Sequence, residues 1–202
     1  MTLRRLWLPI FFASACSTAP NISSSEGAFS SPVSDGDYHQ IVEKFTQSKK
    51  IYDGFNLNFE YHATLLTTEL VEAQTWLQAS DLQWNHVKLQ AEREKNAADS
   101  AKESKIFLSF FTPVNENDNL EVTGSIWKVF LVSEGTKYEG KVVRTGGILA
   151  DVQRRYPEHT RFNTPYVVTF AVPTTQIQAS LSRLIITGTV GNSEVEFPPA
   201  KP

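Results

Sequence analysis

Short apolar runs separated by turn residues fill the C-terminal half of the chain, and this pattern limits the fold more than any other feature. Residues 106–112, 125–133 and 165–172 are rich in β-branched and aromatic side chains, and proline or glycine follows each run closely. Such runs between turn signals are typical of antiparallel strands. With an alternating segment at 55–65, they indicate six or seven strands. We therefore predict a mainly β fold with added helices, arranged as an antiparallel β-sandwich. An immunoglobulin-like sandwich is one possible form of it, although the cysteine framework of antibody domains is absent.

A helical periodicity interrupts these strands at residues 67–103, directly after the predicted first strand. A capping-box pattern begins at Ser80 and indicates two helices, or one helix bent at that point. We expect the first half of this insertion to dock on the sheet and residues 92–105 to project into solvent. The prediction depends on apolar side chains that recur every seven positions: Leu70, Leu77, Trp84 and Ala91.

Weaker patterns predict the remaining elements. Asp37 is a candidate N-cap for an amphipathic N-terminal helix that ends at Gly54, and residues 148–156 are typical of a short helix. Glycine signals predict a hairpin turn at Glu134–Gly135 that leads into one strand over 136–143. A last hairpin is predicted to turn at Gly191–Asn192. All these elements are expected to belong to one domain, residues 38–202. The apolar side of the N-terminal helix is formed by Tyr38, Ile41, Val42 and Phe45.

The first sixteen residues have the features of an export signal. Two arginines precede an apolar segment at 6–12, and Ala13, Ser14 and Ala15 supply the small side chains that a secretory peptidase accepts. Cys16 follows directly, and no other cysteine occurs in the chain. The apolar segment is shorter than the ~20 residues that cross a bilayer. The features predict removal of residues 1–15, while an ordinary signal cut elsewhere and an uncleaved anchor stay open as alternatives.

This start resembles the lipobox of bacterial lipoproteins, although Ala13 stands where leucine is commonest. The resemblance implies that Cys16 carries a lipid on its sulfur and anchors the protein to the cell envelope. Ser17, in place of aspartate, favours the outer membrane within that family. The chain from Tyr38 onward is similar to uncharacterised envelope lipoproteins in which an amphipathic helix precedes a sheet. We expect a flexible tether over residues 16–37, because residues 17–34 hold seven serines and few apolar side chains.

Composition and motifs exclude several function classes. The net charge of −3 offers no electrostatic attraction to nucleic acid. The four histidines lack the i, i+4 spacing of helical zinc sites. Glu60 and His62 share a strand face, and the turn at 115–119 is rich in oxygen ligands, yet strand alternation and turn geometry explain both patterns. We therefore predict no metal, no cofactor and no catalytic site. The histidines are His39, His62, His86 and His159.

Three tryptophans are the candidate binding residues. Trp76 and Trp84 lie in the helical insertion, and Trp127 begins the main apolar strand. Aromatic side chains are favoured at binding surfaces, although burial in the core explains such tryptophans more often. The leading hypothesis is a non-enzymatic interaction or structural module that binds an envelope protein. A carrier of a small apolar ligand or lipid, in a cavity between sheet and helices, is the alternative. A hydrolase whose residues meet only in the folded state is the third.

The lipoprotein interpretation predicts that Cys16→Ser abolishes lipidation, because the hydroxyl cannot form the thioether to the lipid. Labelling of cells with a radioactive fatty acid measures this. Ser30→Ala, in the predicted tether, is the matched control and should be labelled like the wild type. Equal labelling of Cys16→Ser and wild type would contradict the interpretation.

Overall fold

The computed structural model describes residues 32–200 and contains two antiparallel β-sheets with helices. The predicted signal, Cys16 and most of the predicted tether lie outside the described residues. The helices are Asp35–Lys44 (α1), Thr68–Asp81 (α2), His86–Ser100 (α3), Leu149–Arg155 (α4) and Thr174–Ala179 (α5). The strands are Thr46–Asp53 (β1), Asn56–Leu65 (β2), Ser104–Phe111 (β3), Trp127–Ser133 (β4), Thr136–Glu139 (β5), Lys141–Arg144 (β6), Thr164–Phe170 (β7), Ser182–Gly188 (β8) and Gly191–Phe197 (β9).

The two sheets face each other across one apolar cluster. Their strand orders are β1-β2-β3-β7-β6 and β5-β4-β8-β9, and every pair is antiparallel. Alternate residues point inward, as strand geometry requires, which produces a sandwich-like arrangement. The prediction of antiparallel sheets with added helices is confirmed. The main inward residues are Phe59, Tyr61, Ile106, Leu108, Phe110, Tyr166, Val168 and Phe170 of one sheet and Trp127, Val129, Leu131, Leu184, Ile186, Val195 and Phe197 of the other.

Residues 46–53 form β1, although the sequence predicts that the first helix continues to Gly54. Helix α1 ends at Lys44, and its N-cap is Ser34 rather than the predicted Asp37. β1 pairs with β2 throughout, and the hydroxyl oxygens of the facing Thr46 and Thr64 lie 2.8 Å apart. The prediction is wrong because β1 supplies backbone hydrogen bonds to β2, and this pairing outweighs the weak helical pattern of a polar segment. With β1, the described residues contain nine strands instead of six or seven.

Residues 136–143, predicted as one strand, divide between the two sheets at Gly140. β5 pairs with β4 in the four-stranded sheet, whereas β6 pairs with β7 in the five-stranded sheet. The predicted turn at Glu134–Gly135 is confirmed, since both residues have positive φ angles of 49° and 76°. The last hairpin turns at residues 189–190, so the predicted turn at Gly191–Asn192 is wrong: Gly191 pairs with Gly188.

The helical insertion consists of two helices, which is one of the two predicted alternatives. It follows the second strand, β2, so the prediction that it follows the first strand is wrong. The break lies after α2 and before Asn85, whose side chain accepts a hydrogen bond from Lys88 N at 2.8 Å and caps α3. Ser80 therefore begins no helix. α3 packs on α2 and does not project freely: Leu89 is buried, and Asn96 donates to Thr75 at 2.9 Å.

Helices cover part of the outer face of the five-stranded sheet. α1 and α2 share a small apolar cluster that includes Tyr38, Val42 and Leu77. The sequence predicts α4. The ring of Tyr156, directly after this helix, stacks on the ring of Phe107 in β3, with the ring centroids 3.6 Å apart. None of the helices within residues 32–200 is long and apolar enough to cross a membrane. This partial cover leaves a gap beside α2, α3 and α4.

Gly140 should not tolerate a side chain. A Cβ atom there would overlap Val168 Cγ1 and would lie 2.8 Å from a ring carbon of Phe170, and both of these side chains are in the core. We expect Gly140→Ala to lower the free energy of unfolding by about 2 kcal/mol, as overpacking does. Gly146→Ala is the matched control, because nothing lies within 4 Å of a Cβ there, and it should change stability by less than about 0.5 kcal/mol. Urea unfolding measures both; equal stabilities would contradict the close packing at Gly140.

Candidate functional site

A cleft of about 260 Å³ lies between the helical pair α2–α3 and the outer face of the five-stranded sheet. β3 and β7 contribute its floor, α2 and α3 its walls, and the C-terminal end of α4 with Tyr156 one end. Both charged and apolar side chains face it. The lining is formed by Leu66, Val71, Gln74, Thr75, Gln78, Trp84, Glu92, Asn96, Asp99, Ser100, Glu103, Lys105, Arg155, Tyr156, Val167 and Thr174.

The connection between α2 and α3 places Trp84 in the lining of this cleft. Gln83 has a φ angle of 50°, a left-handed conformation that reverses the chain, and Trp84 N donates to Ala79 O at 2.9 Å. The Lys88 ammonium lies 4.6 Å from the centre of the indole ring. Trp84 is half-buried beside the cleft, so the docking of the insertion's first half does not bury Trp84 as completely as its place in the apolar repeat predicts.

The three candidate tryptophans have different environments. Trp127 is buried between the sheets, and its indole N–H donates to Asn117 O at 2.6 Å. Trp76 is half-buried on α2, and its N–H donates to Glu72 at 2.9 Å. The Nε1 of Trp84 is buried, and no acceptor within residues 32–200 lies within hydrogen-bond distance. The predicted set therefore does not form one surface, and Trp84 alone of the three lines the cleft.

Lys105 holds the charge of the cleft floor. Its ammonium lies 2.7 Å from Glu103 and 3.3 Å from Asp99. Burial acts to lower the pKa of Lys105, but hydrogen bonds and attraction to the two carboxylates outweigh it and raise the pKa. Both carboxylates are thus engaged by a permanent cation. Neither is a free base for proton transfer.

Two charged side chains at the cleft, Glu92 and Arg155, make weaker ion-pair or hydrogen-bond contacts than Lys105 does. The Glu92 carboxylate lies 3.9 Å from the Lys95 ammonium, at the limit of an ion pair. The Nε of Arg155 donates to Asp151 O at 3.3 Å, a single weak hydrogen bond for a group with five N–H donors. The cleft therefore offers both an acceptor and donors. With Asp99, Glu103 and Lys105, it carries three carboxylates and two cations.

His62 and His159 lie near each other on the outer face of the five-stranded sheet, whereas His39 is in α1 and His86 begins α3. Ser48 and His62 are cross-strand partners, with Oγ and Nδ1 2.7 Å apart, and Glu158 lies 3.9 Å from the same Nδ1. A serine–histidine–carboxylate relay needs the serine and the carboxylate on opposite ring nitrogens. His159 is buried and its Nδ1 contacts Ser109 Oγ at 2.8 Å. These contacts connect strands and loops, and they do not form a nucleophilic relay.

The other predicted oxygen-rich positions are engaged in the fold. Glu60 pairs with Lys50 at 2.9 Å. In the turn at 115–119, which begins with a short 3₁₀ helix, the Asp118 carboxylate accepts from Tyr166 at 2.8 Å and from Arg144 at 3.0 Å. Among residues 32–200, no group of three or more histidine, cysteine, aspartate or glutamate side chains is arranged to hold a metal ion.

The residues of the cleft were missed in the sequence because they are polar. Glu92, Asn96, Asp99 and Glu103 follow one another at spacings of four, three and four, which is one face of a helix. This polar stripe is a signal that could have been found. It is also typical of a solvent-exposed helix face, and the sequence alone does not separate the two.

Burial of His159 predicts a pH-dependent stability. Removal from water, and to a smaller extent repulsion from His62, lower the pKa of His159 below its ordinary value of 6.5. The unfolded chain therefore binds more protons near that pH, so the free energy of unfolding should fall as the pH drops through 6.5 toward the folded pKa. His159→Asn, which cannot take up this proton, should flatten the dependence between pH 7.5 and 5.5.

His86 provides the control for this measurement. It is exposed at the start of α3, so His86→Gln should leave the slope of the wild type unchanged. Denaturant titrations at several pH values measure the slopes. The same slope in His159→Asn and wild type would contradict the role assigned to His159.

Comparison with known proteins adds no relative. The chain matches no known family model, and no curated protein or solved structure is significantly similar to it.

Proposed function

We propose that the protein is a lipid-anchored, non-enzymatic binding module of the bacterial envelope, and that the cleft beside Trp84 takes a small polar ligand. The observation that carries the ligand site is the buried Trp84 N–H, which has no acceptor within the described residues. More than nine-tenths of buried polar groups in proteins have a hydrogen-bond partner, and an unmade bond costs about 1–3 kcal/mol. Nε2 of Gln74, another lining residue, is buried without a partner in the same way, so two unpaired donors border the cleft. A ligand that shifts the side chains over them would supply the missing bonds.

The lining favours a polar ligand over the apolar ligand or lipid of the alternative hypothesis. Apolar carriers surround their ligand with aliphatic and aromatic side chains. Here five charged side chains face the cleft, and its volume of about 260 Å³ is too small for a lipid chain with its headgroup. Apolar side chains such as Leu66, Trp84 and Val167 supply the rest of the lining. A ligand of small size that makes several hydrogen bonds fits these features.

Two observations support binding without catalysis. Asp99 and Glu103 are engaged by Lys105, so they are not poised to transfer a proton. The contacts of His62 lack the geometry of a nucleophilic relay. The hydrolase hypothesis therefore has no support from the described residues.

The envelope location is proposed from the predicted signal and tether. The lipobox-like start would anchor the chain to the bilayer, most simply at the outer membrane, through the lipid on Cys16. α1 begins at Asp35, just after the serine-rich segment, and its cap is Ser34. A tether of this length has a typical reach of ~25 Å and would hold the cleft away from the headgroups. Binding of an envelope protein and an immunoglobulin-like relationship of the sheets stay predictions.

Ligand-dependent stabilisation tests the proposed site. A panel of small polar metabolites should include a class that raises the melting temperature of the full chain, by roughly 5 °C or more at a hundredfold excess over Kd. Trp84→Phe keeps an aromatic ring but removes the N–H, so it should lose most of this rise. Trp76→Phe is the matched control and should keep it, because the Trp76 N–H already donates to Glu72.

Two results would contradict the proposal. One is a panel in which no compound stabilises the wild type. The other is a stabilisation that Trp84→Phe and Trp76→Phe reduce equally, because it would place the ligand away from the Trp84 N–H.

A further inference from the structure

We infer that the tip of the β1–β2 hairpin inserts into the interfacial layer of the bilayer to which the chain is anchored, and that this contact orients the domain. The inference rests on the envelope location proposed above and not on the ligand of the cleft. The tip is a two-residue turn of Gly54 and Phe55, since Asp53 and Asn56 on either side are paired. The Phe55 side chain is fully exposed there.

The turn needs its glycine but no aromatic residue. Gly54 has a φ angle of 58°, which the first position of a type II′ turn requires. Turn positions that face water are usually occupied by small polar residues, because these bond to the nearby backbone. Phe55 is therefore an apolar side chain at the most protruding point of the hairpin, where the fold does not use it.

Phe55 belongs to a group of apolar side chains from three segments. The hairpin tip, the loop after β3 and the β8–β9 turn border an open depression of about 460 Å³. Asn58 connects them: its backbone oxygen accepts from Thr112 Oγ1 at 2.9 Å, and its side chain donates to Val190 O at 2.8 Å. The fold thus holds the group in place. We call it the hairpin patch, which consists of Phe55, Leu57, Pro113, Val114 and Val190.

The chemistry of the hairpin patch favours lipid as its partner. Within the described part of the chain, the other residues that line the depression are Asn56, Asn58 and Asn117, so none of its lining is charged. Apolar side chains beside uncharged amides match the layer where acyl chains meet headgroups. Asp53 beside the turn and the net charge of −3 favour zwitterionic over anionic lipid. A stable protein interface takes about 20–30 residues on each side, several times the size of the patch.

The chain that precedes the fold is long enough for this contact. Helix α1, ~15 Å long, and strand β1, ~26 Å long, separate Ser34 from the tip, so the two lie within ~45 Å. Residues 17–34 extend to ~60 Å at most. A lipid on Cys16 and the side chain of Phe55 can therefore reach the same membrane surface.

Strand β2 sets the orientation that follows from this contact. It begins with Asn56 at the tip and ends with Leu65, and the next residue, Leu66, lines the cleft. At ~3.3 Å per residue, the strand separates the hairpin patch from the cleft by ~30 Å. A domain that rests on its tip therefore keeps the cleft open to dissolved ligands.

Tryptophan at the tip reports the contact directly. The full chain is reconstituted into vesicles of phosphatidylcholine brominated near the headgroup end of its acyl chains. Phe55→Trp should add emission that these lipids quench and that is shifted to the blue, relative to wild type. Val87→Trp is the matched control: Val87 is exposed at the start of α3, outside the hairpin patch, so its replacement should add only unquenched emission.

Partition into vesicles tests the contact without the lipid anchor. On the Cys16→Ser background, Phe55→Ser should lower the partition of the full chain into phosphatidylcholine vesicles about tenfold, the loss expected for one large apolar side chain. Val87→Ser should leave the partition unchanged. Neither change should alter the melting temperature, because both side chains are exposed in the fold.

Two results would overturn the inference. One is an indole at position 55 that is quenched no more than one at position 87, together with equal partition of the two serine variants. The other is a wild type that sediments as a dimer without vesicles and becomes a monomer with Phe55→Ser, because the patch would then join two copies. Fatty-acid labelling of Cys16 and the ligand-dependent stabilisation test the proposed function independently of both results.

Discussion

Three aromatic rings between the sheets are the contact on which the rest of the structure depends. Phe59 of β2 lies 5.7 Å from Phe110 of β3 and 4.9 Å from Trp127 of β4, and Phe110 and Trp127 are 5.4 Å apart. These centroid distances are within the favourable range for aromatic pairs. Since Cys16 has no second cysteine to pair with, no internal disulfide supports the fold, and apolar burial must hold the two sheets together.

The central strand β3 connects this core to the candidate site. Ile106, Leu108 and Phe110 face the opposite sheet, while Phe107 faces outward and stacks on Tyr156. That stacking fixes the end of α4 over the sheet, and with it the position of Arg155. β3 is buried on both faces, and α2, α3 and α4 pack over its outer face without fully covering the neighbouring strands. The cleft is the space that these helices leave open.

The cleft is stable as an open, charged space because most of its charges are paired. Lys105 with its two carboxylates shows how a partly buried cation keeps its charge at little cost. The Trp84 N–H and Gln74 Nε2 are exceptions, since both are buried without a hydrogen-bond partner in the described residues. Local costs of this kind are expected at functional sites, and they agree with the binding function that we propose for the cleft. This difference between satisfied and unsatisfied groups distinguishes Trp84 from Trp76.

Local patterns in the sequence determined the types of most elements. Alternation predicts β2, and seven-residue spacing predicts the α2–α3 pair, because period and burial are linked within one element. Only the tertiary structure decided that 46–53 is a strand, that the chain changes sheets at Gly140, and that Trp84, Lys105 and Arg155 line one cleft. These outcomes depend on pairing between segments far apart in the chain. A polar stripe such as 92–103 has the same local pattern whether it faces solvent or a cleft, and only packing distinguishes the two.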